Sequence, residues 1–183
     1  MNTFPSVTEY RADTLIGDGG YCDVYSVFGR DDLVFKSFSS PRMASSAWAR
    51  QVSLSRFNLA PLVYSDVISI PFQDELLDET ETGVGYVCER VDTISTIDSM
   101  TKKQREKLYA DIQDLVDLIY RKTGWKFWDS HEFNVGYVKV GRKKHLVCLD
   151  TGNETFDSDF NAWGFAEPGP RCCYCDRFSC VCS

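Results

Sequence analysis

The sequence predicts an α+β fold: a five-stranded antiparallel sheet with one helix in the first half of the chain, then a long helix and a β-hairpin. Three observations predict it. Five segments before Val91 read as strands, separated by glycine turns, one helix and an acidic loop. A later segment, Thr101 to Gly124, carries apolar residues at helical spacing between start and stop signals. Finally, 183 residues with 43% hydrophobic and 14% aromatic content suffice for one compact domain or two small lobes sharing an interface, and argue against global disorder.

Taken in order, Thr14 to Ile16 is a short strand entering the turn Gly17-Asp18-Gly19-Gly20. Cys22 to Phe28 alternates apolar and polar side chains, as a half-buried strand does, and Gly29 to Asp32 turns the chain. Leu33 to Phe38 is the third strand of this meander and carries Lys36. Pro41 to Phe57 has helical character, with Met43, Ala47, Leu54 and Phe57 on one broad face, and Asn58 to Pro61 ends it. Leu62 to Ile70 and Gly85 to Val91 complete the five strands, and the acidic stretch Gln73 to Gly83 between them is expected to be a solvated loop. In the long helix Thr101 and Gln104 form a capping box, while Leu108, Ile112, Leu115, Val116 and Ile119 make the apolar stripe. Gly124 stops it. Trp125 to Trp128 reads as a short strand and Asp129 to Asn134 as a loop. Val135 to Val138 and His145 to Leu149 then form a hairpin ending at Asp150.

Composition excludes some functions. Twenty basic against 27 acidic residues give a net charge of −7, which speaks against a protein that coats nucleic acid or an anionic membrane. No apolar run approaches a bilayer span, and Met1-Asn2-Thr3-Phe4-Pro5 lacks a charged-then-apolar signal pattern, so a cytoplasmic protein is expected. Cys22, Cys88 and Cys148 are scattered through strand-like contexts, where cysteine is usually an inert small hydrophobe. Cys172, Cys173, Cys175, Cys180 and Cys182 instead crowd together near the end. In a cytosolic chain such a cluster is more often a metal site than a disulfide framework.

The chemistry-bearing residues fall in two groups. A glycine-rich turn between strands, Gly17-x-Gly19-Gly20, brings backbone N–H groups close to whatever lies beneath it, as a phosphate cradle requires; alone it reads equally as a tight hairpin turn. Lys36 stands among Val34, Phe35 and Phe38, and a cation in an apolar strand needs a partner or an anionic ligand, unless it snorkels to water from an edge. The second group is Asp129-x-His131-x-x-Asn134 between two predicted strands, with Asp150-Thr151-Gly152 at the end of the hairpin. Two oxygen-bearing side chains, with phosphate oxygens and waters, suit the octahedral preference of magnesium, and a further carboxylate can orient a hydroxyl or accept its proton. Taken singly each residue is a turn former. Their joint occurrence in this order is what turns do not explain.

The order of glycine-rich loop, strand lysine, Asp-x-x-x-x-Asn and Asp-x-Gly resembles that of the protein kinases and their relatives, over roughly Leu15 to Gly152. Ile16 to Tyr25 is similar to the phosphate-covering loop, with Val24 on the adenine, and Val34-Phe35-Lys36 to the lysine strand. Val87 to Val91 is similar to the hinge, where backbone groups of Glu89 and Val91 would meet adenine with Cys88 as gatekeeper. The resemblance implies a two-lobed kinase-like fold: an N-lobe over 1–91, a much reduced C-lobe over 92–167 and a cysteine-rich tail over 168–183. It implies ATP and magnesium as ligands, with Gly17, Gly19, Gly20 and Lys36 on the phosphates, Asp129 as catalytic aspartate, and Asn134 and Asp150 on magnesium. The activity implied is that of a minimal protein Ser/Thr kinase with a protein substrate or partner. The alternatives are a pseudokinase serving as a nucleotide-binding or interaction module, and a small-molecule kinase like the aminoglycoside phosphotransferases, to which His131 two residues after Asp129 is similar.

The chain also departs from that pattern. Cys22 stands in place of the third glycine, and Phe127-Trp128 precede Asp129 in place of His-Arg. The helix from Pro41 to Phe57 has no glutamate to hold Lys36, and Gln51 is the nearest substitute. After Asp150 there is no Ala-Pro-Glu motif and no room for the usual helical substrate platform, so the expectation is either a minimal kinase of the compact kind that some phages and bacteria carry, or a chain that keeps the nucleotide site and has given up phosphorylation. In the tail, five thiols exceed the four that a tetrahedral zinc needs. A redox-reactive tail and a prenylation box at Cys180-Val181-Cys182-Ser183 are the competing readings.

Overall fold

The computed structural model describes residues 10–73, 80–94, 97–141 and 143–156. They fall into two compact units: the chain up to Arg56 with Ala60–Val91, and Phe57–Leu59 with the chain from Asp92 onward. The fold is α+β, with a five-stranded, essentially antiparallel sheet and two long helices.

The first unit holds strands β1 (Ala12–Gly17), β2 (Cys22–Val27), β3 (Arg30–Phe38), β4 (Ile68–Gln73) and β5 (Thr80–Glu89), in the order β1-β2-β3-β5-β4. Neighbours in this order run antiparallel. A parallel bridge, Ala12 to Phe72, closes the sheet into a barrel, a closure that right-handed strand twist favours in small sheets. β3 is buried on both faces, and its alternation divides the core. Leu33 and Phe35 point to one cluster with Tyr10, Ala12, Val27, Ile68, Ile70 and Val87. Val34 and Phe38 join the other with Tyr86, Cys88 and the helix residues Ala44 and Ala47.

That helix, α1, spans Pro41–Ser55. Ser40 caps it by accepting the Met43 N–H at 3.3 Å, and Pro41 occupies the first turn, where its missing N–H costs nothing. Ala44, Ala47, Gln51 and Leu54 are buried at helical spacing, so a polar residue shares the inward face. The helix stops before the predicted Phe57, which is 44% exposed; Asn58 turns the chain with φ 56, a left-handed angle that asparagine tolerates.

Several strand boundaries differ from expectation. β1 begins at Ala12 rather than Thr14, and β3 at Arg30 rather than Leu33, so Arg30 to Asp32, expected in the turn, lie in the strand and pairing resumes at once, Val27 with Arg30. The segment from Leu62 runs beside β5 only at first, through Tyr64 N–H to Val87 O at 2.8 Å and Glu89 N–H to Leu62 O at 2.8 Å. At Ser65 the side-chain hydroxyl, not the backbone, accepts the Val87 N–H at 2.9 Å, and β4 begins only at Ile68. In the acidic stretch, Gln73 pairs with Thr80 as the end of a β4–β5 hairpin, so Thr80 to Gly83 is strand and only 74–79 lies outside the described residues.

The second unit is organised by α2 (Lys102–Thr123). Its capping box is complete, with Thr101 N–H to Gln104 Oε1 at 2.8 Å and Gln104 N–H to Thr101 Oγ1 at 3.3 Å. Gly124 ends it in the left-handed conformation, φ 77, with its N–H on Tyr120 O at 2.8 Å. Leu108, Ile112, Leu115 and Ile119 form the buried stripe. The expected strand at Trp125 to Trp128 is reduced to one bridge, Phe127 to Phe156, whose rings stack at 5.3 Å. β6 (Val135–Val140) and β7 (Lys143–Cys148) form the hairpin, turned at Gly141 with φ 63. Among the described residues no helix is long and apolar enough to cross a membrane.

Candidate functional site

On the barrel unit, Lys36 is only 8% exposed. Its strand neighbour in register on β5 is Tyr86, and α1 brings Gln51 against both. Lys36 Nζ donates to Gln51 Oε1 at 3.0 Å and the Tyr86 hydroxyl donates to the same oxygen at 2.9 Å. Gln51 Nε2 donates to Pro61 O at 3.1 Å. Gln51, the sequence's substitute for a helix glutamate, thus does reach the lysine. Cys88 borders this cluster, and burial pushes its thiol pKa up against the opposing pull of Lys36 and Gln51. Such a thiol is unreactive.

The glycine-rich turn joins β1 to β2 without using glycine's special dihedrals: the left-handed glycines are Gly29, Gly124 and Gly141, not Gly17, Gly19 or Gly20. The turn is tight at Gly19, where a Cβ would come within 3.0 Å of the Cys22 carbonyl oxygen, and open at Gly20. A Cβ on Gly20 would meet nothing within 4 Å, and Tyr21 beside it is 55% exposed. Val24 packs on the cluster that contains Val34 and Tyr86. At the end of β5, Arg90 N–H bonds Asp32 O at 2.8 Å, which makes Leu33–Glu89 a non-hydrogen-bonded pair. The N–H and C=O of Glu89 therefore point away from β3, the N–H going to Leu62 O. Val91 follows as non-regular chain.

On the second unit, Asp129, His131, Asn134 and Asp150 gather at the open end of the β6–β7 hairpin. Asn134 Nδ2 donates to Asp129 O at 3.0 Å and to Asp129 Oδ2 at 3.2 Å. His131 Nε2 lies 3.1 Å from the same nitrogen and 3.5 Å from Asp129 Oδ1, while its Nδ1 accepts the Phe133 N–H at 3.2 Å. Leu149 N–H bonds Asn134 O at 2.8 Å and so ties the residue before Asp150 to Asn134. The Asp150 carboxylate is fixed by Gly152 N–H on Oδ1 at 2.8 Å and Thr155 Oγ1 on Oδ2 at 2.6 Å. Asp129 is 38% exposed, open enough to meet a ligand.

The donor set fits magnesium held jointly with phosphate. Asn134 turns its nitrogen to Asp129, so Oδ1 is the atom that would ligate a metal, and each Asp150 oxygen keeps a lone pair after its hydrogen bond. Two protein oxygens with phosphates and waters match how magnesium is usually bound. Among the described residues no cluster of three or more His, Cys, Asp or Glu side chains could cage a metal alone. Cys172, Cys173, Cys175, Cys180 and Cys182 lie outside the described residues.

Sequence reasoning missed three contributors. Tyr86 is found only through the β3–β5 register. Gly85 is needed because a Cβ there would fall on the Lys36 carbonyl oxygen. Thr155 carries no motif at all, although Asp150 depends on it. No protein-family model matches the chain, and no curated protein matches it.

Proposed function

We propose that the chain is a minimal kinase-like phosphotransferase that binds ATP with magnesium and transfers the terminal phosphoryl group to a protein hydroxyl. The observation that carries this reading is the gathering of Asp129, Asn134 and Asp150 at one hairpin end, with the Asn134 amide holding the Asp129 carboxylate. Asp129 would orient the acceptor hydroxyl and take its proton as the new P–O bond forms and the bond to the β-phosphate oxygen breaks. Lys36 would neutralise charge on the α and β phosphates, under the turn from Gly17 to Gly20. Magnesium, on Asn134 and Asp150, would supply further positive charge to the phosphates. Backbone groups of Glu89 and Val91 would receive the adenine, beside Val24.

A second reading, a nucleotide-binding or interaction module without transfer, draws on one observation: α1 offers Lys36 an amide and no carboxylate. One experiment tests both. ATP with magnesium should raise the melting temperature, by an amount equivalent to about 2.7 kcal/mol at a hundred times Kd. Lys36→Ala and Asp150→Asn should each remove most of that shift. Asp129→Asn should keep the shift and abolish label transfer from γ-labelled ATP to a generic protein acceptor. A wild type that ATP does not stabilise refutes the phosphotransferase and the nucleotide-binding module; stabilisation without transfer to protein refutes the protein kinase.

A further inference from the structure

We propose that Gln51 is a positioning residue for Lys36 that works only as an amide, with Tyr86 as its second anchor. The clamp is defined by contacts within the barrel unit; it rests on the nucleotide reading only for what the lysine serves.

The two ends of an amide differ, and here both are used. Gln51 is fully buried, so each of its polar atoms needs a partner. Its oxygen accepts from Lys36 Nζ at 3.0 Å and from Tyr86 OH at 2.9 Å, which fills both lone pairs. Its nitrogen donates to Pro61 O at 3.1 Å. The carbonyl end therefore cannot be exchanged with the amino end without setting acceptor against acceptor at Pro61. Tyr86, also fully buried, is held by its ring: it stacks on Phe38 at 5.8 Å, and Lys36 Nζ lies 6.0 Å from its centroid. The position of the ammonium is thus set from β3, β5, α1 and the segment after α1 at once.

An ionised glutamate at this position would keep the acceptor end and lose the donor, and a protonated one would regain the donor only by giving up its charge. The carboxylate's second oxygen would face the Pro61 carbonyl across about the 3.1 Å that the Nε2 hydrogen bond now spans, both buried and both acceptors. Gln51 is therefore not a decayed glutamate but the residue that this surrounding requires. The amide also adds no negative charge from α1.

The test is the acylation rate of Lys36 by an amine-specific reagent, followed by peptide mass spectrometry, alongside melting temperature. Tyr86→Phe keeps the ring and removes one donor to the amide; Lys36 should label about threefold faster, the factor expected for the low end of one hydrogen bond. Gln51→Leu, which removes the acceptor, should label about tenfold faster, and Gln51→Glu should melt lower, since it sets a buried acceptor against the Pro61 carbonyl. A Gln51→Glu protein that melts higher than the wild type, or a Gln51→Leu protein that labels at the wild-type rate, overturns the amide requirement. Wild-type labelling in Tyr86→Phe overturns the second anchor, a result readable even if Gln51→Glu does not fold. Protection of wild-type Lys36 by ATP with magnesium is scored separately. Its absence, with the variants behaving as expected, removes the nucleotide reading and leaves the clamp.

Discussion

Replacing Gly85 with alanine tests how closely β5 lies against the lysine strand. Gly85 is paired on both sides, with Ser37 on β3 and with Ile68 on β4, so it has no free edge toward which to move. A Cβ there would fall on the carbonyl oxygen of Lys36 and come within 3.1 Å of the Phe35 ring. A backbone oxygen cannot swing aside as a side chain can, so the strands must part. Overpacking of this kind costs about 1–3 kcal/mol. Each ladder hydrogen bond weakened by the separation adds about 1 kcal/mol. A total of roughly 3 kcal/mol, in a unit of fewer than about 100 residues, corresponds to a fall of roughly 12–24 °C in Tm. Thermal melts followed by circular dichroism measure it, and Gly20→Ala is the matched control, because a Cβ there meets nothing within 4 Å. If Gly85→Ala melts within about 3 °C of the wild type, less than 1 kcal/mol on the same scale, the close approach at Lys36 is wrong.

Two further outcomes follow from the cysteines. Burial raises the Cys88 thiol pKa above its ordinary 9.0, so the stability gained from keeping it neutral is complete below that value and lost as pH rises through the folded one. Melting temperatures at pH 8 and pH 10 should therefore fall more steeply for the wild type than for Cys88→Ala, and parallel falls would contradict the buried thiol. For the tail, elemental analysis of protein purified without a metal-binding tag should find about one zinc per chain, lost when Cys175 and Cys180 become serine; metal-free protein with five reactive tail thiols refutes the zinc site.

What could be read from sequence was what neighbours in sequence decide. The α2 helix was legible to within a residue because Thr101, Gln104 and Gly124 act over one turn and its stripe repeats without interruption. The hairpin and the meander of the first three strands were legible for the same reason, alternation and turn residues being local. The start of β4 was not, because the interruption is made by one hydroxyl, Ser65, reaching a backbone N–H 22 positions away. The barrel closure was not either, since it needs the twist of four intervening pairings to bring Ala12 to Phe72.

The candidate site divides along the same line. Asp129, His131 and Asn134 lie within six residues of one another, so their order alone announced a cluster, and the hydrogen bonds among them are short-range ones. Lys36 and Gln51 are 15 residues apart and Tyr86 is 35 beyond Gln51. A missing glutamate is visible in the sequence as an absence, and restoring it looks like a repair. The Pro61 carbonyl reverses that inference: it already receives the amide's hydrogen, and a carboxylate has none to give. Which residue Lys36 requires is thus decided by a backbone atom on a segment that carries no motif, and side-chain order cannot express such a constraint. The same logic applies to Thr155, whose hydroxyl fixes Asp150 from beyond the Asp-x-Gly signature. Positions that hold a functional side chain through its second contact are specified by the fold, and there substitution by the residue expected from resemblance is the change most apt to do harm.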